Sequence, residues 1–145
     1  MPKAPTTPTA AITTTTLSLT VDDVAASQAF FTTHLGYTEQ AAAEGFASLS
    51  RPDAAADLVL LARGTEILPP EQRDQRAAGL ILALTLATGI REEERRLREE
   101  GVRITMPLRE EPWGERLFQI TDPNGVVVQF VEWAAPAAPA APQEA

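Results

Sequence analysis

The sequence contains no cysteine and a single histidine among its 145 residues. Without cysteine the chain can form neither a disulfide framework nor a thiolate zinc site, and it has no cysteine nucleophile. A single imidazole also excludes metal sites that are built from several histidines. Composition alone therefore excludes thiol chemistry and leaves little room for catalysis by histidine.

Basic residues are scarce, and long apolar runs are missing. The chain has 12 Lys and Arg residues against 20 Asp and Glu residues, which makes nucleic acid a poor partner because phosphate binding needs a surplus of positive charge. No apolar run approaches the roughly 20 residues of a membrane span, and the first residues lack the apolar segment of a signal peptide. We therefore expect a cytoplasmic protein that binds neither nucleic acid nor membranes.

Proline is concentrated at the two ends of the chain. Six of the 12 prolines lie within residues 1–11 and 134–145, among alanine and threonine. Such segments bury too little apolar surface to offset the entropy lost on ordering. We predict a disordered N-terminal tail over residues 1–11, one domain over residues 12–133, and a disordered Ala/Pro-rich tail over residues 134–145.

Hydrophobic periodicity predicts alternating strands and helices within this domain. Strands are predicted at residues 13–21, 45–50, 57–62, 80–86, 116–121 and 126–133, and helices at residues 24–35 and 89–100. Asp22 or Asp23 would cap the first helix and Thr88 the second, since short oxygen-bearing side chains accept hydrogen bonds from the first helical N–H groups. Gly36 and Gly101 would end these helices.

The two halves of the domain resemble each other at an offset of 65 residues. Residues 17–21 align with residues 82–86, and Gly36 aligns with Gly101. We interpret this as an internal duplication, with modules at about residues 12–63 and 79–133. One such module would leave a face of its sheet bare, so two modules must pack together or be exchanged between chains.

Several short motifs occur in order along the domain: Val21-Asp22-Asp23 with Ser27 and Phe30-Phe31, Leu35-Gly36-Tyr37, Pro112-Trp113-Gly114 with Arg116 and Phe118, and Asp122-Pro123-Asn124-Gly125. Together with the repeat they resemble the vicinal-oxygen-chelate superfamily, which includes glyoxalase I, extradiol dioxygenases, fosfomycin-resistance enzymes and bleomycin-resistance proteins. The resemblance implies an α+β fold of two βαβββ modules. Their mixed sheets would curl into a cup that is completed in a homodimer.

In the enzymes of this superfamily the cup holds a divalent metal, bound by residues on the first and last strand of each module. The resemblance places these positions at Thr16, Ile81, about Val59, and Gln129. None of the four is a histidine or a carboxylate, the ligands that such ions prefer. We therefore expect no metal, no other cofactor and no catalytic residue, as in the bleomycin-resistance branch.

Seven residues are predicted to contact a ligand: Thr16, Ser18, Phe46, Trp113, Arg116, Phe118 and Gln129. Gln129 interrupts an otherwise apolar strand, so its amide either contacts a ligand or forms a structural hydrogen bond. Thr16 and Ser18 form either the hydroxyl-lined wall of a pocket or a strand that faces solvent.

The tryptophans have two different expected roles. Trp113, held in a loop between a proline and a glycine, is either an aromatic platform for a ligand or an anchor packed on Phe118. Trp133 is predicted to cover the edge of the core.

Two further side chains, Arg116 and His34, carry or can carry a positive charge. Arg116 either holds an anion or pairs with Glu115 or Glu132, and His34 is expected at the surface in the last turn of the first helix, where positive charge suits the helix dipole.

Three functions fit these observations. The first is a metal-independent protein that binds or sequesters an antibiotic-like small molecule, whose acidic surface would attract a cationic or aromatic ligand. The second is a lyase, isomerase or oxygenase with an unorthodox metal site. The third is an accessory domain whose dimer surface is its function.

Overall fold

The computed structural model of the chain describes residues 10–134, so the predicted tails lie almost entirely outside the described residues. Within this range the elements are β1 Thr16–Val21, α1 Val24–His34, β2 Thr38–Ala43, β3 Phe46–Ser50, β4 Asp57–Ala62, β5 Ile81–Thr85, α2 Ile90–Glu99, β6 Ile104–Glu110, β7 Glu115–Thr121 and β8 Val127–Trp133. A single 3₁₀ turn, Pro70–Gln72, lies in the segment that links the two halves.

The two halves form two sheets of the same topology. The strand order is β1-β4-β3-β2 in the first sheet and β5-β8-β7-β6 in the second. In each sheet the first strand runs parallel to the last, and the remaining pairs are antiparallel. The predicted α+β fold of two βαβββ modules is confirmed, and neither sheet closes on itself.

The first helix begins and ends where the sequence predicts. Asp23 caps α1 because its carboxylate accepts a hydrogen bond from the N–H of Ala26 at 3.1 Å. The side chains of Phe30 and Phe31 are buried in the core. Gly36 follows the last turn with φ of +72°, a left-handed conformation that glycine adopts without steric cost.

The predicted cap of the second helix is wrong. The N-cap of α2 is Gly89, and no side chain of the preceding residues caps it. Instead the N–H of Ile90 donates to Glu132 Oε1, 2.9 Å away on β8, and Glu132 is almost fully buried. The start of α2 is therefore fixed by the sheet on which it packs. The local pattern that favours Thr88 as a cap cannot predict this contact with a residue on another strand.

The sequence pattern missed two strands, and both are sheet edges. All six residues of β2 are exposed, so its sequence shows no apolar alternation. β6 contains Pro107, which an edge strand tolerates because one side of that strand needs no N–H donors. β2 therefore lacks the periodicity that one-sided burial creates. β6 does alternate, with Ile104, Met106 and Leu108 partly buried, but Pro107 interrupts the pattern and argues against a strand.

Both helices lie at the contact between the two modules. His34 at the end of α1 contacts Glu100 just beyond α2, with Nδ1 to Oε1 at 2.7 Å, and Arg96 donates to the His34 carbonyl at 2.8 Å. Side chains of both modules share one apolar core. The sheet faces that carry no helix therefore lie on the outside of this two-module body.

A polar cluster at the turn between β7 and β8 locks the modules together. The hydroxyl of Ser27, which is fully buried on α1, donates to Asp122 Oδ2. Asp122 Oδ1 accepts from the N–H groups of Asn124 and Val126 at 2.9 and 2.8 Å. The amide of Asn124 donates to the Asp23 carbonyl and accepts from the Asp23 N–H. We call these four side chains the Ser27–Asp122 clamp (Asp23, Ser27, Asp122, Asn124).

We expect Asp122→Ala to lower the free energy of unfolding by about 3 kcal/mol, because it leaves three donors without their charged acceptor in a buried place. Ser27→Ala removes one donor and should cost about 1 kcal/mol. Urea denaturation followed by circular dichroism measures both. Asp53→Ala, which removes an exposed carboxylate paired with Arg51, is the matched control. Equal midpoints for the Asp122 and Asp53 variants would show that the clamp does not stabilise the fold.

Candidate ligand-binding faces

The helix-free face of the second sheet carries a pair of side-chain amides. Gln119 Nε2 donates to Gln129 Oε1 at 2.8 Å, and both side chains are half-buried. The structural hydrogen bond considered for Gln129 is thus present. The NH₂ group of Gln129 and the carbonyl of Gln119 keep unused hydrogen-bonding capacity toward a ligand. We call this surface, with its flanking residues Leu117 and Val131, the amide face.

Apolar and aromatic groups continue the amide face toward one end of the strands. Leu117 and Val131 are buried beside the amides. Beyond them Glu115 pairs in register with Trp133, and its carboxylate accepts from Trp113 Nε1 at 3.0 Å. At about 3.3 Å per residue, Trp133 lies about 13 Å along the strand from the amide pair.

Both indoles are exposed to solvent. Trp113 is 65% exposed and Trp133 is 54% exposed. Trp113 is therefore not packed on the fully buried Phe118, and the prediction that Trp133 covers the core edge is wrong. Large apolar side chains on a surface indicate a place where something else binds.

The helix-free face of the first sheet presents hydroxyl groups. Thr16 and Ser18 are exposed, and Phe46 lies partly buried on the same face, since both Phe46 and Thr20 pair in register with Leu61. We call this surface, with Thr20 and Ser48, the hydroxyl face. The linker between the modules covers one end of it, with the Ala77 N–H bonded to the Thr20 carbonyl at 2.6 Å. A cavity of about 220 Å³ lies under this linker and is lined by Ser18 and Thr20, among others.

The structure does not bring Thr16 and Gln129 together within one chain. They lie on separate sheets that share no paired strand, and neither residue lines any of the five cavities described in residues 10–134. A largely apolar cavity of about 400 Å³ lies instead between the modules, between the edge strand β5 and the loop that holds Arg51. Sequence reasoning missed this cavity because its walls come from both modules.

Two predicted contact residues lie on the helix side of the second sheet, opposite the amide face. Phe118 is fully buried and stacks on Phe130 with ring centroids 5.2 Å apart. Arg116 pairs with Glu110 at 3.2 Å and with Glu132 at 3.1 Å. The hydrogen bond that Arg116 donates to Glu110 is the main cause of the raised pKa of Arg116. Neither side chain shares a surface with Gln129.

The four positions where the resemblance places metal ligands offer a poor donor set. Thr16 and Gln129 carry one neutral hydroxyl and one amide, while Ile81 and Val59 carry no donor atom. Among residues 10–134, no cluster of three or more His, Cys, Asp or Glu side chains could hold a metal ion. These residues do not fit the divalent metal of the family's enzymes.

The sequence profile of the Glyoxalase/Bleomycin resistance protein/Dioxygenase superfamily matches residues 12–130. The chain belongs to this superfamily. Among curated proteins no sequence matches the chain at a significant level. In the part of the superfamily fold described here, no helix is long and apolar enough to cross a membrane.

Solved structures with the same fold come from several bacteria. A glyoxalase/bleomycin resistance protein/dioxygenase from Nocardioides is 26% identical, with a TM-score of 0.72, over 94% of this chain and 93% of the other. A superfamily member from Sphaerobacter thermophilus is 24% identical, with a TM-score of 0.66, over 84% and 98% of the two chains. TnmS3, an antibiotic binding protein from Streptomyces sp. CB03234, is 23% identical, with a TM-score of 0.67, over 88% and 100%.

The donor set predicts that the purified protein carries no stoichiometric transition metal. Elemental analysis should find well under one zinc, iron, nickel or manganese ion per chain, and chelation should leave the melting temperature unchanged. About one ion per chain, removed by chelator with loss of stability, would contradict this prediction.

Proposed function

We propose that this protein binds and sequesters an antibiotic-like small molecule without a metal, at a site made from the amide face of one chain and the hydroxyl face of a second copy. The observation that carries the proposal is the amide pair on a face that no helix covers, with two exposed indoles about 13 Å away at one end of that face. Sites for small molecules combine apolar walls with a few polar groups of fixed position.

The chemistry of the two faces favours binding over catalysis. The amide face presents an amide donor, an amide acceptor and two aromatic rings, and the hydroxyl face adds hydroxyl groups. General acid–base catalysis needs a group that titrates near the working pH, and the one imidazole, His34, lies at the helix contact rather than on either face. The antibiotic binding protein TnmS3 shares the fold, which agrees with a binding role.

The length of the amide face indicates the kind of ligand. A molecule that contacts both the amide pair and the indole of Trp133 must span about 13 Å, as a polycyclic or glycosylated aromatic compound does. Glu115, between the two indoles, is a carboxylate whose hydrogen bond within the described residues comes from Trp113. Together with the net charge of −8, it favours a ligand with a cationic group.

A second copy of the chain is the proposed cover for both faces. Ile81 is 53% exposed on the amide side of the edge strand β5, and the two indoles are exposed on the same sheet. Burial of these side chains against another chain would stabilise a dimer by about 25 cal/mol for each Å² of apolar surface removed from water. A twofold dimer would place each amide face opposite a hydroxyl face.

We expect Trp113→Ala to weaken ligand binding at least about tenfold, since it removes about 0.5–1.5 kcal/mol of stacking together with the apolar area that the indole buries, and about 1.4 kcal/mol is a factor of ten. The ligand is to be found by a thermal-shift screen of bleomycin-type glycopeptides and planar quinones, run with and without divalent metals. Calorimetry then gives the dissociation constants of the wild type and the variant.

The amide pair is tested with the same ligand. Gln129→Leu should weaken a polar ligand and leave the fold intact. Gln40→Leu is the matched control, because Gln40 is also a strand glutamine with a side-chain hydrogen bond, to Ser50 at 2.8 Å, but lies on β2. If Trp113→Ala and Gln129→Leu both bind like the wild type, the site lies elsewhere.

Light scattering should give twice the chain mass of 15.6 kDa at micromolar concentrations. Ile81→Asp should shift the protein toward the monomer by placing a charge in the interface. The control is Ile67→Asp, because Ile67 is also exposed, at 76%, but lies in the linker. A monomeric wild type across this concentration range would overturn the dimer.

A further inference from the structure

Four arginines converge on one cleft on the helix side of the second module. The cleft has a volume of about 380 Å³ and lies between α2 and the strands β6 and β7. It is lined by Arg91, Glu94, Arg98, Pro107, Leu108, Arg109, Glu110 and Arg116. Its lining carries four positive and two negative charges, although the whole chain has a net charge of −8. We call it the arginine cleft.

The spacing along the chain places these side chains together. Arg91, Glu94 and Arg98 are three and four residues apart on α2, so they lie on one face of the helix. Arg116 lies on the helix side of β7, whereas Arg109 pairs in register with Leu117 and borders the cleft at β6, the edge strand of the sheet. Arg116 lies on the face of β7 opposite Gln119, so the arginine cleft is separate from the amide face.

The glutamates near the cleft have structural partners. Glu94 Oε2 accepts from the N–H of Leu108 at 2.9 Å and thereby ties α2 to β6. Glu132 accepts from the N–H of Ile90 and so holds the start of α2. These carboxylates keep their charge and also pair with Arg98 and Arg116, so the arginine that they leave without an ion pair within residues 10–134 is Arg91.

The arginines, by contrast, have hydrogen-bonding capacity to spare. Within residues 10–134, Arg98 and Arg109 each pair with one carboxylate, Glu94 at 3.1 Å and Glu111 at 2.8 Å, and Arg91 forms no ion pair. Each guanidinium carries five N–H donors in a planar fork that matches phosphate oxygens. Several donors from three elements therefore remain available around one open volume.

We propose that the arginine cleft is a binding site for a phosphate-type dianion, either free phosphate or the phosphate group of a small ester. A dianion would satisfy donors of Arg91 and of its neighbours at once, which a single carboxylate does not do. The site is independent of the proposed sequestering function, because three of its four arginines, Arg91, Arg98 and Arg116, lie on α2 or on the helix side of the second sheet.

The test is a titration of the full-length protein at low ionic strength with inorganic phosphate and, separately, with phenyl phosphate. Arginine Nε–Hε resonances report on binding and on its location. Saturable shifts at the cleft arginines, with dissociation constants of about 1 mM or tighter, are expected for at least one of the probes. The probe with the lower dissociation constant shows whether the site prefers free phosphate or a phosphate ester, and either preference supports the site.

Arg91→Gln should weaken binding at least about fivefold, because it removes the guanidinium without an internal partner. Arg95→Gln is the matched control, since Arg95 lies exposed on the same helix and does not line the cleft. Trp113→Ala should leave phosphate binding unchanged. No saturable shift at about 10 mM of either probe, or equal weakening by Arg91→Gln and Arg95→Gln, would overturn the proposal.

Discussion

The hydrogen bond from Ser27 to Asp122 joins the two modules and, with the apolar core that they share, sets the position of the surfaces on each. A carboxylate removed from water is costly unless donors replace its hydration, and Asp122 receives one hydroxyl and two backbone N–H groups. Because Ser27 lies on α1, the bond fixes this helix against the second module. The helices then fill the space between the sheets, and the amide and hydroxyl faces are left on the outside.

The clamp also explains why the family resemblance predicts the fold but not the function. Asp23, Ser27 and the Asp122–Gly125 turn are among the residues that carry the resemblance, and in the structure they hold the modules together. They touch neither proposed ligand surface. A shared clamp therefore predicts a shared fold, whereas function depends on the side chains of the outer faces, which differ from those of the family's metal enzymes.

The sequence predicted the fold well wherever one-sided burial creates a pattern. It located β4 and α1 closely. It missed β2, whose exposure removes the pattern, and β6, whose alternating pattern is interrupted by Pro107. The candidate site was harder to predict. The sequence correctly placed Thr16 on a first strand and Gln129 on a last strand. No local pattern, however, predicts that the two modules contact each other through their helices and not through the edges of their sheets. The arginine cleft went unrecognised because its residues come from three elements.

The outward direction of the two faces has a thermodynamic consequence. A site that needs both kinds of face must take them from two chains, so a twofold dimer holds two equivalent sites and each chain contributes to both. Ligand binding and subunit association then become linked equilibria. A ligand that binds the assembled site draws monomers into dimers, and dilution of the protein weakens the apparent affinity by mass action.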